Sequence, residues 1–118
     1  MFFRLRPTIT LSFVAHQDDD LLFMNPDIAS DVQAGYDVWV AYLTAGDTGP
    51  GLEYANDRIK GDRAAYARAA GLPNNWTYHT LNLAGHEVAI NSLDWFDSSA
   101  ASSYLLCRVC ELRPRPRK

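Results

Sequence analysis

The apolar positions of this 118-residue chain change period several times along its length. Residues 8–15, "TITLSFVA", carry no charge and are rich in β-branched and apolar side chains, as a buried strand should be. From Leu21 the period lengthens: Leu21, Leu22, Met24, Ile28 and Val32 recur at near-helical spacing, interrupted by Pro26. Asn25 is a good N-cap and proline is tolerated in a first turn, which predicts a helix at about 25–34 ending at Gly35. "DVWVAYLT" (37–44) reads as a second strand, and the strand, helix, strand order implies a right-handed parallel crossover. "AGDTGPGLEY" (45–54) is a loop by its glycines and proline. The clearest helix follows at 53–71, alanine-rich and closed by Gly71 with Pro73 beyond. "WTYHTLNL" (76–83) predicts a third strand, and "HEVAINSL" (86–93) fits either a short strand or the start of a loop.

The order β-α-β-α-β predicts an open α/β fold of the Rossmann-like kind, three layers α/β/α around a mainly parallel sheet. Three strands leave too little chain to cover both faces, so the sheet is expected to be incomplete and the chain to be the front of a larger domain. Residues 1–92 form the domain portion in this reading. Residues 93–118 form an atypical tail, helical from about 99 to 110 and then disordered through its proline and arginine residues. An incomplete sheet also leaves apolar surface through which copies of the chain can associate.

Composition narrows the functional classes. A content of 47% hydrophobic residues is enough for one modest core, and no stretch reaches the length of a membrane span. The formal charge of -3 hides an asymmetry: residues 1–107 carry 6 basic and 13 acidic side chains. The basic end "RPRPRK" is short and lacks aromatic interleaving, which reads as a solvated end and not as a nucleic-acid arm. The N-terminal apolar run is interrupted by Arg4, Arg6 and Pro7, so no signal peptide is expected and a cytoplasmic location is the default. Cys107 and Cys110 form a single CxxC, half a zinc site at best; two free thiols or a local redox pair are the expectations.

The chemistry concentrates at "FVAHQDDDLLF" (13–23), where His16 and three aspartates follow the first strand. Ligands of open α/β sheets collect at the carboxyl ends of strands, and His16, Asp18, Asp19 and Asp20 fall there. An imidazole and a carboxylate three positions apart can converge on zinc, and a further carboxylate can take a proton from water that the metal has made acidic. Two other readings stay open on residue type and spacing. The aspartates can cap the following turn while His16 bonds to the backbone. Alternatively Asp18 and Asp20 form a D-x-D pair that holds magnesium or manganese against a nucleotide-sugar diphosphate, as in a metal-dependent glycosyltransferase.

"VAHQDDDLLFMNPDI" resembles the A-H-P-D-D-E signature of the PIG-L/LmbE-like deacetylase family, which follows the first strand of a Rossmann-like fold. "YLTAGDTG" is similar to that family's T-x-G-E-x-G segment, and "DRIKGDRAAYARAAGLPNNW" to the helix after it, so the likeness spans roughly residues 9–90. The resemblance implies that His16 and Asp19 bind Zn2+, that Asp18 is the general base, and that an N-acetyl amide, typically on a glucosamine unit, is hydrolysed. It makes Arg58 the residue facing the substrate; an i,i+4 pair with Asp62 on a solvated helix face is the alternative for that arginine. Asp20 falls behind the metal and not on it.

The chain departs from the family pattern at Gln17, Asp20 and Asp47, where the family has Pro, Glu and Glu. Family members also take a third zinc ligand from a downstream H-x-x-H-like segment, and the sequence contains none. His79 and His86 read as half-exposed structural histidines. A two-ligand site is expected to bind zinc weakly, which keeps a non-catalytic α/β fragment or binding module as an alternative to the enzyme.

Overall fold

The computed structural model describes residues 8–44, 46, 51–97 and 102–112. Asp47 and the basic end 113–118 lie outside the described residues. The elements are β1 (Ile9–Val14), α1 (Asp19–Phe23), α2 (Asp27–Gln33), β2 (Asp37–Tyr42), α3 (Leu52–Ala70), β3 (Thr77–Leu83), β4 (His86–Asp97) and β5 (Ser102–Leu112). One five-stranded sheet has the order β1-β2-β5-β4-β3.

The fold is mixed α/β. The β1–β2 and β2–β5 pairings are parallel, whereas β3–β4 and β4–β5 are antiparallel, so the sheet is mixed and not mainly parallel. The cause is local. Ala84 and Gly85 both take positive φ, the pattern of a type I′ turn, and Asn82 Oδ1 accepts the Gly85 N–H at 3.0 Å, which folds β3 and β4 into a hairpin.

Where a helix is expected at about 99–110, the described residues from Ser102 on form a strand. β5 lies between β2 and β4, pairing Val38 with Cys107 and Ile90 with Cys110, and this long-range pairing overrides a pattern that fits either element. The same placement removes the local redox pair, because Cα atoms three residues apart on a strand are about 10 Å apart and a disulfide needs less than about 7 Å. "HEVAINSL" is the first part of the long strand β4.

The single helix expected at 25–34 is two helices. α1 is a short helix that begins within the acidic motif at Asp19, and α2 begins only at Asp27, although Asn25 still serves it by accepting the Ala29 N–H at 3.3 Å. α2 ends as expected at Gly35 (φ 77), and α3 ends at Gly71 (φ 67) with the Leu72 N–H donated to the Ala67 carbonyl, as in a Schellman cap.

The core lies between the helices and one face of the sheet. Val38, Val40 and Tyr42 of β2 meet Ile28 and Val32 of α2 and Tyr66 and Ala67 of α3. On α3 the buried residues Ala55, Ile59, Asp62 and Tyr66 form one stripe at helical spacing, with a carboxylate in the middle of it. β1 is inverted relative to this core. Thr10 and Ser12 share the helix-facing side, where Thr10 donates to Asp31 at 2.8 Å, while Ile9, Leu11 and Phe13 on the other side are 64%, 57% and 65% exposed. Among the described residues that outer face has no helical cover. No described helix is long and apolar enough to cross a membrane.

Candidate functional site

The acidic motif sits where β1 and β2 end together. The Leu43 and Thr44 N–H groups donate to the Val14 and Ala15 carbonyls, and Thr44 Oγ1 donates to the Ala15 carbonyl at 2.9 Å, so the two strand ends are tied side by side. The chain then leaves the sheet through His16 and Gln17 into α1, at the crevice that α/β folds use for ligands.

His16 and Asp19 converge. His16 Nδ1 lies 3.4 Å from Asp19 Oδ2, and the same oxygen accepts the His16 backbone N–H at 2.9 Å, which fixes the carboxylate's direction. Two ligands of a tetrahedral zinc, each at about 2.0–2.1 Å, stand roughly 3.4 Å apart. The pair therefore has the separation of two tetrahedral corners, and both side chains reach solvent. Among the described residues no third His, Cys, Asp or Glu joins them; His79 and His86 are on the β3–β4 hairpin and take no part.

Asp18 occupies the N-cap position of α1 but makes no capping bond with its side chain. Its backbone is left-handed, φ 76 and ψ -15, a region that costs a non-glycine residue on the order of 1 kcal/mol. The carboxylate turns instead toward α3, where Arg58 Nη2 donates to Asp18 Oδ1 at 2.7 Å. The same nitrogen donates to the Gln17 carbonyl. The contact with Asp18 raises the Arg58 pKa, so this cation is permanent, and its guanidinium lies 5.6 Å from the Tyr54 ring centre. Arg58 thus lies beside the acidic motif with Asp18 and Gln17 as partners, and no ion pair with Asp62 forms.

Asp20 is removed from the site. It has no exposed surface and accepts hydrogen bonds from the Tyr42 hydroxyl, at 3.1 Å to Oδ2, and from the Tyr66 hydroxyl. Burial raises its pKa against the lowering effect of the two hydroxyls. A carboxylate locked between two core tyrosines cannot share an ion with Asp18, which takes away the D-x-D pair and with it the basis for the glycosyltransferase reading.

Three residues of this cluster carry no sequence signal of their role. Asp62 of α3 is 2% exposed and accepts the Asp18 N–H at 3.2 Å, and burial, with the Asp20 charge nearby, raises its pKa to about 7. Gln17 is fully buried with neither amide atom partnered. Gly46 has φ +59, and a Cβ there would stand 2.6 Å from Arg58 Nη1, 3.2 Å from Gln17 Oε1 and 3.3 Å from His16 Cδ2. Gly46→Ala is accordingly expected to cost about 2 kcal/mol, from left-handed strain and the displacement of a pinned guanidinium. A urea titration in which the alanine variant lost less than about 0.5 kcal/mol would show that the contact is soft.

A family model described as GlcNAc-PI de-N-acetylase (PIG-L) matches residues 11–100, well over half of the chain and past residue 92. No curated protein and no solved structure matches the chain.

Proposed function

The chain belongs to the PIG-L family, whose model is that of a GlcNAc-PI de-N-acetylase, and from that premise we propose that it is built to hydrolyse the N-acetyl amide of a glucosamine-type sugar with zinc as cofactor. The observation that carries the reading is the approach of His16 Nδ1 to Asp19 Oδ2 at tetrahedral-ligand separation, with the Asp18 carboxylate next in sequence and directed along α3. His16 and Asp19 would hold the metal. Zinc bound there supplies a Lewis acid for the acetyl carbonyl and lowers the pKa of water toward ~7.

The chain's own groups do the rest. Asp18 is the general base; Oδ1 is engaged by Arg58, so Oδ2 is the oxygen left to receive the proton. Arg58 fixes the base's direction and, at the rim of the site, is the cation a polar sugar group meets. Asp20, neutralised or tyrosine-bonded in the core, keeps the third negative charge of the motif away from the metal.

Two protein ligands are fewer than the three of a catalytic zinc, and weak binding follows. Zinc titration of the purified chain is expected to give a dissociation constant in the micromolar range, with binding lost in His16→Ala. Acetate release from N-acetylglucosamine conjugates is expected in zinc and not in Asp18→Asn. Zinc binding indifferent to His16 would remove the assigned ligands. His16-dependent binding without acetate release above the Asp18→Asn control would instead leave a metal-binding α/β unit, the second reading, which the two-ligand set favours.

A further inference from the structure

α3 grips the two sides of a single peptide group. Arg58 donates to the Gln17 carbonyl, and Asp62, one helical turn later, accepts the Asp18 N–H at 3.2 Å. These are the C=O and the N–H of the peptide bond between Gln17 and Asp18, the one that leads into the left-handed residue. Both gripping residues are themselves fixed, because Ala55, Ile59 and Tyr66 of the same helix face are buried. We propose that Asp62 is a positioning residue: by holding the Asp18 N–H it keeps the Asp18 backbone left-handed and its carboxylate aimed into the site.

Three observations lead there. A carboxylate that is 2% exposed in an otherwise apolar helix stripe is costly to bury, and an alanine or leucine would pack that stripe more cheaply. Outside the helix its carboxylate accepts the Asp18 N–H and meets the Tyr42 hydroxyl, so the one backbone group it holds belongs to the proposed base. Asp18, at an N-cap position, would ordinarily turn its side chain back onto the N–H groups of α1; the left-handed backbone prevents this, and without Asp62 nothing on the N–H side opposes a return to the common conformation. Arg58 alone leaves one half of the peptide free to rotate.

The role assigned to Asp18 rests on the deacetylase reading, but the placement of its backbone does not, and the experiment separates the two. Amide exchange of the full chain is followed by 15N NMR without metal, in wild type, Asp62→Ala and Asp62→Asn. In Asp62→Ala the Asp18 amide is expected to exchange about 10–100-fold faster while Val38 and Val40 in the core keep their protection. Asp62→Asn retains an acceptor and is expected to restore the Asp18 protection to within about threefold. With zinc and substrate, Asp62→Ala is expected to lower kcat about 10–100-fold at unchanged KM, with Asp62→Asn recovering most of it. Unchanged Asp18 exchange in Asp62→Ala, or acceleration shared equally by Val38 and Val40, overturns the proposal. Should the alanine variant not fold, the asparagine variant decides alone at about pH 8.5, where wild-type Asp62 is ionised: replacing the charged acceptor by a neutral one moves the Asp18 amide proton upfield, and a proton that stays in place there overturns the proposal. Wild type that releases no acetate defeats the deacetylase reading, with the exchange result still standing for or against Asp62.

Discussion

Asp20→Ala is expected to destabilise the domain by about 3 kcal/mol, a large share of the 5–15 kcal/mol that holds a domain of this size. The change removes the common acceptor of two core hydroxyls. Tyr42 and Tyr66 are each 1% exposed and both donate to Asp20, so both buried hydroxyls lose an acceptor when the carboxylate goes, although Tyr42 still meets Asp62. The loss is that of a shared buried acceptor plus a small cavity, and the two parts are separable. Asp20→Asn keeps an oxygen acceptor and is expected to cost only about 1 kcal/mol. In a background of Tyr42→Phe and Tyr66→Phe the alanine change is expected to cost less than half as much, because the donors that share the acceptor are no longer there. Urea unfolding with unchanged m-values measures all of these. A cost below about 1 kcal/mol for Asp20→Ala in the wild-type background would show that the tyrosines find other partners.

Stability is also expected to fall as pH rises from about 4 to 8, the reverse of ordinary acid denaturation. Asp62 titrates at about 7 in the folded chain against 3.8 when unfolded, and burial raises Asp20 in the same direction. Below pH 3.8 both states hold these protons and nothing is lost. Between 3.8 and about 7 the unfolded chain gives up the Asp62 proton while the folded chain keeps it, so each pH decade in that window costs about 1.4 kcal/mol; above 7 the penalty is constant. A fall of a few kcal/mol across the window follows, read as a declining thermal midpoint. Asp62→Asn removes one of the two raised carboxyls and is expected to make the fall shallower, with the remainder belonging to Asp20. A midpoint that rose steadily from pH 5 to 8 would mean that the buried carboxyls are ionised throughout.

The sequence made some of these features readable and hid others for physical reasons. The bounds of β1, β2, α3 and β3 fall within a residue or two of those read from the sequence, although β1, expected to be a buried strand, turns Ile9, Leu11 and Phe13 outward. β5 was not legible, since "SSYLLCRVCEL" fits a helix or a strand equally and only its partners β2 and β4 decide. α1 has no cap signature, as its cap position is held by a left-handed aspartate that caps nothing. Within the motif, His16 and Asp19 were legible from spacing, and the structure brings them together. Asp62 was seen only as a neighbour of Arg58 on one helix face; that the two residues reach opposite sides of one peptide 40 or more positions away is a property of the docked helix. Tyr42 and Tyr66 lie in a strand and a helix that the sequence showed, but the use of their hydroxyls on Asp20 is encoded by no period.

The inversion of β1 has a bearing on how this chain can vary. In most strands the apolar positions are the ones that tolerate no change. Here Thr10 and Ser12 are the side chains pressed toward the helices, while Ile9, Leu11 and Phe13 stand in water. Tolerance is therefore exchanged between the two faces: a charge is cheaper at Phe13 than a methyl group is at Ser12, and a substitution scan that sorted positions by hydrophobicity would rank this strand backwards.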